Sequence, residues 1–181
     1  ILKFDPQQLD LRFALIAVIT VGISSHLNVR IPRENAWISV SDAFIFLSLL
    51  LFGGEAAIIV ATLEAFYSSL RYNKTKIFHF YNAGVMACSW WLTVYLLQVC
   101  FGSTTAILSA PISPRFLVFI VTLAMVQYAA NSSLIALGLG LRFGHKFLDT
   151  WKHHFSYTSL TYLVAASAAG SVAKLIGTTG F

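Results

Sequence analysis

Charge is what this sequence has least of. Only 10% of its 181 residues are Asp, Glu, Lys or Arg, against about 25% in an ordinary soluble domain. Meanwhile 57% are hydrophobic and the mean hydropathy is +0.76, which argues against a water-exposed globular surface. Disorder is excluded by the same arithmetic, because 15 Phe, 7 Tyr and 4 Trp are apolar surface in need of burial. Cysteine is scarce as well. Cys88 and Cys100 read as lying on one continuous helix, about 18 Å apart at 1.5 Å per residue, beyond disulfide reach. With four prolines and 11 glycines there is no collagen-like repeat. Acidic residues number 7 against 12 Lys and Arg. The basic side chains sit in short clusters between long apolar runs and form no single basic face, so they speak for bilayer topology and against a nucleic-acid partner. No short apolar leader with a cleavage site opens the chain at Ile1, and the segment is expected to be cut from a longer protein.

Apolar runs bounded by charge or turn residues were sought at the length of about 20 residues that a helix needs to cross hydrocarbon. Six emerge, at 13–29, 38–53, 55–70, 79–101, 115–141 and 157–176. The expected fold is therefore an all-α polytopic bundle, a single integral-membrane domain over 1–181 with the lipid bilayer as its first partner. The stretch 38–70 would be about 50 Å long as one helix, too long for a single crossing without extreme tilt. It carries Gly53 and Gly54 at its centre and is read as a tight hairpin, although the charges do not decide this. The segment 143–156 mixes aromatics, Lys146, Lys152 and three histidines, which fits an interfacial amphipathic connector.

With the hairpin, Arg30, Arg33, Arg71, Lys74, Lys76, Arg142, Lys146 and Lys152 fall on one side, and Lys3, Arg12, Arg115 and Lys174 on the other. The richer side is expected to be cytoplasmic, with loops 30–37, 71–78 and 142–156 there and both Ile1 and Phe181 outside. A cytoplasmic domain downstream would then need one more crossing. Helices associate in lipid through small residues. Two four-residue stripes fit that role: Ala57, Ala61, Ala65 and Ser69, and Ala165, Ala169, Ala173 and Gly177.

Polar groups at membrane depth are costly and mark candidate sites. Asp42 and Glu64 are each eleven residues from Gly53, so a turn there sets both carboxylates at similar depth. Such a pair can raise each other's proton affinity or hold a cation. Together with Asn82 they form a candidate sensing cluster. The alternative is that Asp42 caps its helix while Glu64 reaches toward Arg71 or Lys74. Glu55, directly after the glycines, complements a helix N-terminus. Trp90, Trp91, Tyr95, Gln127, Tyr128 and Asn131 could line an aromatic pocket with a few polar groups, the usual make-up of a small-molecule site. Plain packing and interface anchoring account for the same residues equally simply. His79, His145, His153 and His154 lack the spacing of a metal site. No phosphate loop, nucleophile elbow or zincin motif is present. No catalytic residue, metal or cofactor is expected in this segment.

Trp37-Ile38-Ser39-Val40-Ser41-Asp42-Ala43-Phe44-Ile45-Phe46-Leu47, then Leu51-Phe52-Gly53-Gly54-Glu55-Ala56-Ala57 and Leu63-Glu64-Ala65, resembles the membrane-embedded (MASE-type) sensor modules of bacterial signalling proteins. Phe80-Tyr81-Asn82 and Leu160-Thr161-Tyr162 look like that group too. Its modules precede GGDEF, EAL or HD-GYP domains, which make or degrade cyclic di-GMP. The resemblance implies a sensory input in a bacterial inner membrane, linked covalently to a cytoplasmic output enzyme, with homodimerisation left open. None of the output signatures occurs in these 181 residues. A looser likeness is to the substrate-binding S components of vitamin transporters, although span 1 lacks their alanine repeat.

Overall fold

The computed structural model describes residues 11–23, 28–30, 37–72, 75–102, 107, 112–144, 146–155 and 158–179. Lys3, Arg33, Lys74 and His145 lie outside the described residues, as do parts of the loops predicted to be cytoplasmic. Helix α1 (Leu11–Val18) continues into a π-helical turn, Ile19–Ile23. A three-residue antiparallel ribbon follows, Asn28–Arg30 (β1) against Trp37–Ser39 (β2), with Val29 opposite Ile38. Then come α2 (Val40–Phe52), α3 (Gly54–Tyr72), α4 (Lys76–Phe101), α5 (Pro114–Phe143), α6 (Phe147–Phe155) and α7 (Thr158–Thr179).

The architecture is an all-α helical bundle. Helices α2, α3, α4, α5 and α7 form a closed ring in which each packs on the next and α7 returns to α2, while α1 and its π turn cover α2 and α3 from outside. Three helices are long and apolar enough to cross a membrane, within Lys76–Phe101, Pro114–Phe143 and Thr158–Gly177. The first predicted span, 13–29, is shorter than expected. Its helix is described to Ile23, and Asn28–Arg30 is strand, held extended by its ribbon partner at Trp37–Ser39 and by β-branched Val29. The second, predicted from 38, starts helically at Val40 and gives a helix about 20 Å long, short of a hydrocarbon core. Helix α2 is instead the most enclosed element: Ile45 through Leu50 are all buried.

The chain turns at Gly53. Its N–H still donates to Leu49 O at 3.0 Å, and its own carbonyl accepts from Ala57 N at 3.3 Å, opening α3. The turn needs φ +92° at Gly53, a conformation that a side chain penalises. Gly54 is needed for another reason: a Cβ there would run into Val94 of α4. A hydrogen bond from Ser41 Oγ to Glu64 Oε1, 3.2 Å across the α2–α3 pair, shows that the two helices run antiparallel. The stretch 38–70 is thus a hairpin.

Antiparallel succession gives the bundle two distinct ends. One gathers the start of α2, the end of α3, the start of α4, the end of α5 and helix α6, with Arg71, Lys76, Arg142, Lys146 and Lys152. At the other, Arg115 donates to Phe101 O at 3.2 Å and Lys174 Nζ to Ile107 O at 3.2 Å, over the Phe116 ring. Phe13 of α1 meets Phe52 edge-on at this second end, with ring centroids 5.7 Å apart. Ala57, Ala61, Ala65 and Ser69 are buried along α3, and Ala165, Ala169 and Ala173 along α7, whereas Gly177 is exposed.

Candidate functional site

The polar interior of the ring lies toward the basic end and is built by pairs of residues four apart on three neighbouring helices. Helix α3 presents Glu64 with Ser68 and Ala65 with Ser69, α4 presents Asn82 with Met86, and α5 presents Asn131 with Ile135. A four-residue step returns to the same helical face, so each pair points one way. Together they line a cleft of about 230 Å³.

Glu64 is the charged group of this cleft and is only 9% exposed. Its Oε1 accepts from Ser41 Oγ. Asp42, partly buried in the first turn of α2, is close enough to act electrostatically on Glu64. Arg71, two turns further along α3, acts on Glu64 with the opposite sign and itself lies over the Tyr67 ring at 5.4 Å. The sequence grouping of Asp42, Glu64 and Asn82 is resolved as follows: Glu64 and Asn82 share the cleft wall, and Asp42 stands behind it on α2.

The hydrogen bonds on the wall have a common sense. Asn82 Nδ2 donates to Ser69 Oγ at 3.2 Å, and Ser69 Oγ also meets His79 Nδ1 at 3.0 Å. Asn131 Nδ2 donates to the Tyr162 hydroxyl of α7 at 2.7 Å. Both amides spend their N–H groups on the protein, and the shielded Asn131 Oδ1 accepts no hydrogen bond. Tyr162 in turn packs against Phe46 of α2 and Tyr128 of α5, each ring centroid 6.2 Å away. Tyr128 lies against Trp151 of α6 at 5.9 Å, and Trp151 Nε1 donates to Ser132 Oγ at 2.9 Å. The cleft is thereby connected to the last helix of the ring and to the amphipathic helix at its end.

No protein-family model matches the chain, and neither curated proteins nor solved structures contain a match to it. What the site can do rests on its chemistry. Among the described residues no three His, Cys, Asp or Glu side chains converge to hold a metal ion.

The six residues predicted to line an aromatic pocket do not share one. Trp90 and Gln127 are fully enclosed in the ring's middle. With its amide oriented so that both ends are satisfied, Gln127 accepts from Trp90 Nε1 at 3.1 Å and donates to Thr93 Oγ1 at 2.8 Å and to Ser89 O at 3.3 Å. Trp91 and Tyr95 stack on each other at 5.7 Å on the outer face of α4, 51% and 52% exposed. Tyr128 and Asn131 belong to the Tyr162 assembly. Successive residues on a helix point about 100° apart, so Trp90 and Trp91 cannot serve the same face. Reading the sequence alone gave Ser69 only a packing role and gave Ser41, Ser68 and Tyr162 no part in the site. The signal for the serines was available in the four-residue step from Glu64 to Ser68 and from Ala65 to Ser69. Tyr162 carried none, because its partner lies 31 residues away on another helix.

Proposed function

We propose that this chain is a membrane-embedded sensory input module, and that its last helix passes a change in the polar interior of the bundle to a covalently linked cytoplasmic enzyme of cyclic di-GMP signalling. The observation that carries this reading is the hydrogen bond from Asn131 to Tyr162, which ties the wall of the Glu64 cleft to α7. A buried carboxylate at membrane depth costs free energy and is tolerated where it serves a function. Here it sits one helix pair away from the element that leads toward the output. The likeness of residues 37–65 to MASE-type modules supports the same reading. The module would lie in a bacterial inner membrane, with the end carrying Arg71, Lys76, Arg142, Lys146 and Lys152 on the cytoplasmic side, so that a cytoplasmic enzyme downstream needs one more crossing after α7.

A switch of this kind requires two packings of α7 whose populations differ with the state of the cleft. Tyr162→Phe removes the acceptor of the Asn131 amide and keeps the ring packing against Phe46 and Tyr128. In the intact protein this variant should shift the basal rate of cyclic di-GMP synthesis or breakdown while the protein remains folded and in the membrane. An unchanged rate would leave only a membrane anchor. Cysteine labelling in a Cys88→Ser, Cys100→Ser background checks the orientation: Lys76→Cys should be blocked by a membrane-impermeant maleimide only in opened cells, and Ser113→Cys in intact spheroplasts.

A further inference from the structure

The Glu64 cleft is lined by acceptors. Among the described residues Asn131 Oδ1 and Asn82 Oδ1 receive no hydrogen bond, the one bond of each amide being donated by its nitrogen. Glu64 Oε2 receives none either, its one hydrogen bond being that of Ser41 to Oε1. The side chain of Ser68 completes the set on the α3 face. A buried acceptor without a donor costs on the order of 1–3 kcal/mol, and Asn131 Oδ1 is such an acceptor, on a residue that lines the same cleft as Asn82 and Glu64. Such a lining calls for a guest that only donates or is positively charged. Around Glu64 stand Asp42 and Ser41 of α2, Arg71 of its own helix, Asn82 and His79 of α4, Asn131 of α5 and Tyr162 of α7.

From these observations we propose that the cleft binds a monovalent cation through Glu64, Asn82, Asn131 and Ser68. Carboxylate, amide carbonyl and hydroxyl oxygens are hard ligands, suited to an alkali ion or a small ammonium group. A divalent ion of the calcium type takes six to eight oxygens and several carboxylates, and only one carboxylate is on this wall. Binding would pull Asn131 Oδ1 toward the cation and so reset the Asn131 to Tyr162 bond to α7. The proposal rests on the input-module reading for its consequence, though not for the binding itself.

The test uses the purified chain in detergent, with sodium chloride or potassium chloride exchanged for N-methylglucamine chloride at constant ionic strength, and Tm followed by intrinsic tryptophan fluorescence. One of the two alkali ions should raise Tm saturably, by about 5 °C when in large excess over its Kd. Glu64→Gln should abolish the rise. Asn131→Asp should lower the half-saturating concentration roughly tenfold, a gain that a merely structural asparagine would not give. If Glu64→Gln fails to fold, Ser68→Ala, at a partly exposed position, should still weaken the response several-fold. A Tm that is the same in all three salts, a rise that survives Glu64→Gln, or a response to divalent ions alone would each overturn the proposal. Saturable binding without any effect on output in the intact protein would leave the cation site standing and remove the input-module reading. An output that responds to Tyr162→Phe but not to any cation would do the reverse.

Discussion

Two buried polar clusters lie within one ring of helices, and they differ in a single respect. Around Gln127, donors and acceptors balance: the amide is satisfied at both ends by Ser89, Trp90 and Thr93, and the Ser89 and Thr93 hydroxyls also bond α4 carbonyls at 3.1 and 2.9 Å. Around Glu64 and Asn131 acceptors are left over. A saturated network in a low-dielectric interior holds helices in register and asks for nothing more. One with acceptors in excess is stable only if something else supplies donors or positive charge, so the same residue types make glue in the middle of the ring and a site near its end. The first joins α4 to α5, and the second lies between α3, α4 and α5 and reaches α7.

The largest effect should come from the saturated cluster. Trp90→Ala would remove a fully enclosed indole that meets Phe46 edge-on at 5.2 Å and donates to Gln127. Losses of this kind cost about 3–5 kcal/mol, enough to lower the unfolding midpoint in mixed micelles by many degrees. Gln127→Leu is milder. It deprives Trp90 Nε1 of its acceptor, while Ser89 and Thr93 keep their carbonyl partners in α4, so a loss of about 1–2 kcal/mol is expected. Under the proposed input-module function, the cyclic di-GMP output of this variant in the intact protein should stay at the parental level once expression is matched. A changed output would show that the central cluster also carries signal and would dissolve the distinction.

Asn131→Leu should invert that pattern. Interhelical hydrogen bonds in membrane proteins contribute about 0.6 kcal/mol on average, and this substitution also removes an unsatisfied oxygen, so stability should change little or rise. Output in the intact protein should nevertheless shift by about fivefold or more, the scale of a coupling free energy of roughly 1 kcal/mol. Parallel measurement of Tm and output for Gln127→Leu and Asn131→Leu separates glue from switch.

The difference between the clusters was only half legible in the sequence. The turn at Gly53 and Gly54 could be read, because a glycine pair centred in an overlong apolar stretch has few other uses. The shared depth of Asp42 and Glu64 followed from their equal distances to it. The alanine stripes followed from the need for close approach in lipid. What stayed hidden was which helices are neighbours. Lipid tails are as apolar as a helix interface, so hydrophobicity does not mark the inward face, and Trp90 and Trp91 look alike until the ring closes. Tyr162 acts through the contact of α7 with α2 and α5, whereas Ser41 and Trp151 each reach the helix next to their own in the chain, across 23 and 19 residues. The bounds of the first two spans were overrun where the chain enters the β1–β2 ribbon, because strands of three residues carry too little alternation to be told from the adjoining helix.

The smallest expected effect belongs to the pair that the sequence grouped with Gln127 and Asn131 and the structure sets apart. Trp91 and Tyr95 stack with an interplanar angle of 6° on the outer face of α4, and neither contributes to the lining of the Glu64 cleft. A stacked aromatic pair is worth about 0.5–1.5 kcal/mol beyond its area when both rings are confined. On a lipid-facing surface acyl chains replace the lost contacts, so Trp91→Ala and Tyr95→Ala should each cost about 0.5 kcal/mol or less. Both variants should keep the parental cation response and the parental output. Should Trp91→Ala abolish either one, the sensing surface would extend from the interior to the lipid face of α4, and the line between a closed central cluster and an open cleft at the basic end would have to be redrawn through that helix.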